Sequence, residues 1–231
     1  MDKAHTIVDL TNIHDFPELK KYYAQRFRYF TKYEQGIKLD YDMWFSVTPE
    51  TIAKHVAQQV YASYGETKNL TILDAFTGAG SNAIHFAALD KSITVTAIDI
   101  DEKRLDLAKH NAKVYGVEDR ITFIHGDFMK IGKSLKQHDV TFLSPPWGGP
   151  EYMKGEYSMK TMLKFGIDVQ KLFELCAEKS SSVIHFVPRN TNARECMELC
   201  RYFDTNRVRL EKQYFGKKFK TLCCYYGKMA Q

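Results

Sequence analysis

From Leu70 to Tyr226 short apolar runs alternate with segments of helical period, and that alternation restricts the chain to a sheet wound with helices. Strands are predicted over Leu70–Phe76, Ile93–Ile98, Ile121–His125, Val140–Leu143 and Val183–Val187. Helices are predicted over about Ser81–Leu89, Asp101–Tyr115, Ile131–Lys136, Thr161–Ala177 and Ala193–Tyr202. Two last strands, Arg207–Tyr214 and Lys220–Tyr226, flank Phe215-Gly216-Lys217, a hairpin signal. The expected sheet is therefore five parallel strands closed by an antiparallel pair.

The chain before this region reads as helical. Asp15 or Pro17 can open a helix carrying Leu19, Tyr22, Tyr23, Arg26, Phe27 and Phe30. Thr48-Pro49-Glu50 places threonine at an N-cap and proline at the first helical position, opening a helix to about Tyr64 that Gly65 ends. The polar stretch Gly65-Glu66-Thr67-Lys68-Asn69 then marks a boundary between residues 1–68, a helical extension, and residues 69–231, the α/β part.

A chain of 231 residues buries a substantial core, and 44% hydrophobic with 26% charged residues describes a globular protein. The N-terminus is polar, so no signal peptide and no secretion are expected, and no apolar run reaches the roughly 18 residues of a membrane span. Five cysteines, Cys176, Cys196, Cys200, Cys223 and Cys224, form no CxxC pair and read as reduced thiols. The histidines are scattered, and no metal site is expected. A net charge of +5 permits nucleic-acid binding without requiring it. Cations interleave with aromatics in the segments from Lys20 to Phe30 and from Tyr214 to Lys220, which suits phosphates and bases but equally an amphipathic core segment.

Asp74-Ala75-Phe76-Thr77-Gly78-Ala79-Gly80-Ser81-Asn82 falls where the first strand turns into the first helix. Gly78 and Gly80 let the backbone pass close to a ligand in the crevice at the carboxyl edge of the sheet. The third glycine of a dinucleotide loop is missing, and Asp74 would repel a pyrophosphate. The same carboxylate suits a ligand with an amino group, S-adenosylmethionine. Asp99 at the end of the second strand is placed to hold both ribose hydroxyls. Gly126-Asp127-Phe128 after the third offers an acceptor for the adenine amino group and a ring beside the base. Each aspartate alone is as compatible with a helix cap. Their succession at consecutive strand ends, with the closing hairpin, points to a class I S-adenosylmethionine-dependent methyltransferase with a Rossmann-like seven-stranded sheet. S-adenosylhomocysteine is then the product and no metal is needed.

Ser144-Pro145-Pro146-Trp147-Gly148-Gly149-Pro150 follows the fourth strand. The prolines stiffen the loop and remove local donors, so its carbonyls and the Ser144 hydroxyl are left to accept from a planar amino group while Trp147 stacks on the base. That is the geometry for methylating an exocyclic amino nitrogen. A purely structural Pro-Pro turn is the alternative.

These strings, with Lys21-Tyr22-Tyr23-Ala24-Gln25-Arg26, Gly36-Ile37-Lys38-Leu39-Asp40, Trp44-Phe45-Ser46-Val47-Thr48-Pro49-Glu50 and Pro188-Arg189-Asn190, closely resemble the trimethylguanosine synthase family from about Lys20 onward. The resemblance implies methylation of the exocyclic N2 of a 7-methylguanosine RNA cap to the 2,7-dimethyl and then the 2,2,7-trimethyl form. It implies that Trp147 stacks on the cationic 7-methylguanine, that Ser144 and Pro145 orient its amino group, and that Lys21, Tyr152, Arg189, Asn190 and Lys220 hold the substrate. It also implies that the extension folds over the cofactor and cap sites, Phe30 packing on the cofactor and Thr48 helping to hold its methionine end. Small nuclear or small nucleolar type capped RNAs, RNP proteins delivering them, a monomer, and a nuclear, nucleolar or cytoplasmic residence complete the expectation. The rival readings are a methyltransferase for guanine N2 or adenine N6 inside rRNA or tRNA, an NAD-dependent oxidoreductase, and a cap-binding module without activity.

Overall fold

The computed structural model describes residues 3–65 and 69–231, the side chains of residues 150 and 151 excepted. Its helices are α1 (Lys20–Tyr23), α2 (Arg26–Tyr29), α3 (Met43–Ser46), α4 (Glu50–Tyr64), α5 (Ser81–Leu89), α6 (Glu102–Tyr115), α7 (Phe128–Ile131), α8 (Val169–Lys179) and α9 (Ala193–Glu198). The strands are β1 (Thr71–Asp74), β2 (Thr94–Asp99), β3 (Ile121–His125), β4 (His138–Leu143), β5 (Ser180–Pro188), β6 (Val208–Phe215) and β7 (Lys218–Gly227). They form one seven-stranded sheet in the order β3-β2-β1-β4-β5-β7-β6. The first five are parallel, and β7 is antiparallel to both β5 and β6. The chain order reverses between β1 and β4, which opens the ligand crevice at their carboxyl ends.

Side-chain alternation along the strands divides the core into two layers. Ile72, Val140, Phe142, Ile184 and Tyr225 point to one face, where α4, α5 and the extension cover them. Leu73, Leu143, Val183, Cys224 and Tyr226 point to the other, under α8 and α9. Residues of the extension, among them Phe30, Trp44 and Val56, belong to the same apolar cluster as Ile72 and Ile84. Trp44 is fully buried among the rings of Tyr23, Tyr29 and Tyr33 at 5.7, 6.3 and 5.6 Å. Burying each side chain of that size contributes about 1.5 to 3 kcal/mol.

The expected elements exist, with corrections at their ends. The helix foreseen from Asp15 or Pro17 is a 3-10 turn, Pro17–Leu19, followed by the separate single turns α1 and α2. Pro49, not Thr48, holds the N-cap position of α4, and Glu50 is its first residue. The helix predicted over Thr161–Ala177 is split: Met159–Phe165 is 3-10, Gly166 turns left-handed at φ 74, and α8 starts after an Asp168 cap. Ile131–Lys136 is not a helix of its own. The chain there runs from α7 into a 3-10 turn, Gly132–Ser134. The hairpin closes on Gly216-Lys217, with Phe215 paired to Lys218. The boundary expected at residues 66–68 lies outside the described residues.

Candidate active site

The glycine loop is shaped by its neighbours on the sheet. Gly78 and Gly80 hold φ of 53 and 84, a conformation that favours glycine. A Cβ on Gly80 would meet that of Ala108 at 3.0 Å, so glycine also lets α5 approach α6. The Thr77 N–H donates to Ile98 O at 2.9 Å, and the Gly78 N–H donates to Asp99 Oδ2 at 2.7 Å. Asp99 Oδ1 accepts from the Asp101 N–H at 2.9 Å. Each Asp99 oxygen keeps a lone pair, and burial raises the carboxyl above its usual range.

Asp74 is 1% exposed, and neither carboxylate oxygen has a hydrogen-bond partner. Burial and the charge of Asp99 push its pKa up to about 7, while the N–H groups of Phe76 and Ala83 oppose this without making hydrogen bonds. An orphaned carboxylate beside a glycine loop demands a cationic donor, since leaving it unmatched costs several kcal/mol. The amino group of S-adenosylmethionine fits that demand, with Asp99 fitting the ribose diol.

Other expected cofactor residues fall differently. Asp127 caps α7, accepting from the Met129 N–H at 3.0 Å, with Lys130 Nζ 3.5 Å away. Phe128 is 2% exposed, its ring at 76° to that of Phe76 with centroids 6.4 Å apart. Phe30 is wholly buried, packed on Tyr115 at 6.1 Å. Both rings lie in the interior of the protein. Thr48 is held by α5: its hydroxyl accepts from Asn82 Nδ2 at 2.9 Å and its carbonyl accepts from Ser81 Oγ at 2.8 Å.

Three residues that sequence reasoning missed bind the extension to the glycine loop. Ser81 and Asn82 grip Thr48. Asn111, fully buried on α6, donates to Lys38 O at 3.0 Å and Ala79 O at 3.1 Å and accepts from the Lys38 N–H at 2.9 Å. Its signal was a polar residue within the apolar stripe Leu105, Ala108 and Ala112 of α6. Asn111→Ala is expected to raise KM for S-adenosylmethionine roughly thirtyfold, two backbone carbonyls losing their donor at about 1 kcal/mol each. Steady-state titration of cofactor and acceptor separately checks this, since a smaller folded fraction would lower the apparent kcat and leave both KM values unchanged.

Beside the cofactor half stands the proline ledge. Pairing of Leu73 with Thr141 and of Asp74 with Phe142 sets the end of β4 against Asp74. Ser144 leaves β4 half-buried, Pro145 is buried and Pro146 exposed. Trp147 is half-buried, touching both core layers, and its Nε1–H donates to Phe186 O at 3.3 Å. Tyr152 braces it edge-on at 5.3 Å and 83°. Burial raises the Tyr152 phenol, and the charge of Arg189 works against that rise. Burial lowers Lys220, assisted by the same Arg189. Trp147, Tyr152, Arg189 and Lys220 are thus brought to one place. Lys21, exposed, lies over the Tyr22 ring at 5.0 Å, and Tyr22 is within electrostatic reach of Tyr152. Asn190 does other work: its amide donates to Tyr152 O at 2.7 Å and Gly155 O at 2.5 Å, latching the loop that carries Tyr152. Among the described residues no group of three His, Cys, Asp or Glu side chains is arranged to hold a metal ion. No helix among them is long and apolar enough to cross a membrane.

Sheet order, glycine loop and strand-end carboxylates define a class I S-adenosylmethionine-dependent methyltransferase. Solved structures agree on the fold. A SAM-dependent methyltransferase from Agrobacterium tumefaciens superposes with a TM-score of 0.56 at 19% identity, covering 79% of this chain and 64% of that one. TrmN from Thermus thermophilus gives 0.50 at 21% identity, covering 77% and 52%. The family model for RNA cap guanine-N2 methyltransferases matches residues 69–229. A trimethylguanosine synthase of Schizosaccharomyces pombe is 38% identical over 216 residues, 90% of this chain and 86% of that protein. The trimethylguanosine synthase of Saccharomyces cerevisiae is 35% identical over 184 residues, 77% of this chain and 57% of the yeast protein. The chain belongs to the RNA cap guanine-N2 methyltransferase family.

Proposed function

We propose that the chain methylates N2 of a 7-methylguanosine RNA cap twice, giving the 2,7-dimethyl and then the 2,2,7-trimethyl form. The observation that carries this is the convergence of Trp147, Tyr152, Arg189 and Lys220 beside the Ser144-Pro145 ledge, one strand from the orphaned Asp74. When bound, S-adenosylmethionine supplies a methyl group on a sulfonium, so no covalent protein nucleophile is required. Asp74 holds its amino group and Asp99 its ribose. The protein's own contribution is orientation, worth up to about 7 to 11 kcal/mol in well-aligned systems. Trp147 stacks on the electron-poor purine, Ser144 Oγ and the Pro145 carbonyl accept from the N2 amino group, and Arg189, Lys220 and Lys21 neutralise the cap phosphates. The N2 proton becomes acidic as the nitrogen is alkylated, and water takes it.

Capped small nuclear or small nucleolar RNAs are the substrates this reading favours. RNP proteins deliver them to a monomeric enzyme in the nucleus, nucleolus or cytoplasm. Mass spectrometry of 7-methyl-GTP after incubation with enzyme and S-adenosylmethionine tests the reaction. Gain of one and then two methyl masses is expected, with unmethylated GTP a poorer acceptor by roughly tenfold for the lost cation–π contact. No mass gain on any free cap, with methylation of internal RNA bases instead, would sink the proposal.

A further inference from the structure

Resting on the proposed reading, we infer that a second cleft at the carboxyl edge of the sheet takes a backbone phosphate of the RNA just downstream of the cap. The cleft has a volume of about 280 Å³ and lies where the start of Met159–Phe165, the start of α8, one side of α9 and the 3-10 turn Leu199–Tyr202 after it meet. Lys160, Arg194 and Arg201 line it, against the carboxylates of Glu195 and Glu198. Three cations against two carboxylates leave one net positive charge, the complement of a single phosphodiester.

The distribution of partners strengthens this. Both Glu195 oxygens are already engaged, by Ser158 Oγ at 2.7 Å and the Met159 N–H at 2.6 Å. The three cations are exposed, and among the described residues none lies within ion-pair distance of a carboxylate. Arg201 is held ready by Tyr202, over its ring at 5.1 Å and donating to its hydroxyl at 3.2 Å. A groove whose cations outnumber its carboxylates and form no close ion pair with them suits a nucleic-acid backbone.

Position supplies the second argument. The turn 189–192 separates the two sites, with Arg189 on the cap side and Asn192 in the cleft wall. Three residues span at most about 11 Å, so a strand leaving Arg189 and Lys220 meets the cleft within its first nucleotides. That turn is fixed: Tyr157 N–H donates to Asn190 O at 2.8 Å, Asn192 N–H to Tyr157 O at 3.0 Å, and Asn192 Nδ2 to Glu156 Oε2 at 2.7 Å. A rigid ridge between two cationic stations sets a register for the strand that crosses it.

The test compares m7GpppG, too short to reach the cleft, with an m7G-capped RNA octamer, using wild type and the double variant Arg194→Glu/Arg201→Glu. Wild type should favour the octamer in kcat/KM. The variant should lose roughly tenfold on the octamer alone, and its log–log salt slope should fall by about 0.7 for the one phosphate no longer neutralised on a single strand. Circular dichroism and S-adenosylmethionine binding confirm that the variant is folded. Equal use of both substrates by wild type, or equal loss on both by the variant, overturns the inference. Should wild type leave m7GpppG unmethylated, the proposed function is what fails. The cleft is then judged by octamer binding in fluorescence anisotropy, where a reduced salt slope in the variant supports it and an unchanged slope refutes it.

Discussion

Trp147→Ala is expected to lower kcat/KM for 7-methyl-GTP by about 10²- to 10³-fold while S-adenosylmethionine binds as before. Stacking a base on an aromatic side chain is worth about 1 to 3 kcal/mol, and a positive charge on the purine adds about 1 to 2 more. The indole is held at its anchor by Phe186 O and braced by Tyr152, so a purine stacking there would meet a ring already oriented. Trp147→Phe keeps a stacking face but drops the Nε1–H anchor, and should fall between the two. Initial rates with 7-methyl-GTP, alongside calorimetry with S-adenosylmethionine, separate the losses. Wild-type turnover in the alanine variant would remove the indole from the acceptor site.

Asp74→Asn should weaken S-adenosylmethionine by about 10²-fold or more, because a buried carboxylate matched to a cation contributes about 3 to 5 kcal/mol when its partner is present. Acidity makes the same point. The Asp74 pKa is pushed up to about 7, above the usual carboxylate value, chiefly by burial and then by Asp99. Its contribution to the stability of the free protein is therefore complete below about pH 4 and is lost as pH rises through about 7. Binding the amino group requires the ionised form, so affinity should rise about tenfold per unit toward pH 7 and then level off. His85 and His185, lowered by burial to about 4 and about 3, act in the opposite sense and cost stability in acid. Comparing melting temperatures of wild type and Asp74→Asn at each pH cancels the histidines. The variant should be the more stable without ligand near pH 8, and the difference should vanish near pH 4. A pH-independent affinity in wild type would mean that this carboxylate does not meet the ligand.

The strand ends were the legible part of the chain. Asp74, Asp99 and Asp127 each follow an apolar run, and a parallel sheet places all such ends on one edge whatever the loops do. Trp147 was legible for a related reason, since prolines stiffen the loop that holds it. Side chains whose fate depends on packing from distant segments were not. Phe128 follows an aspartate as a base-stacking ring would, yet an N-cap fixes the start of α7 and turns that ring inward. Phe30 is drawn into the interior by Tyr115, far away in the sequence. Thr48 looked like a cap because Thr-Pro-Glu is a common opening; its hydroxyl is instead taken by Asn82 across the cofactor loop. Asn190 sat beside Arg189 and shared its expected role, but backbone carbonyls on the facing loop claim its amide.

The grip of Asn111, Ser81 and Asn82 on the first third of the chain has a practical corollary. The stretch that resembles the family most plainly, 69–229, contains every strand, and it would be the natural place to trim. Trimming there would strip the cover from Ile84 and Phe86 and set the glycine turn adrift. The smallest piece able to act as an enzyme is accordingly larger than the piece that carries the family's signature.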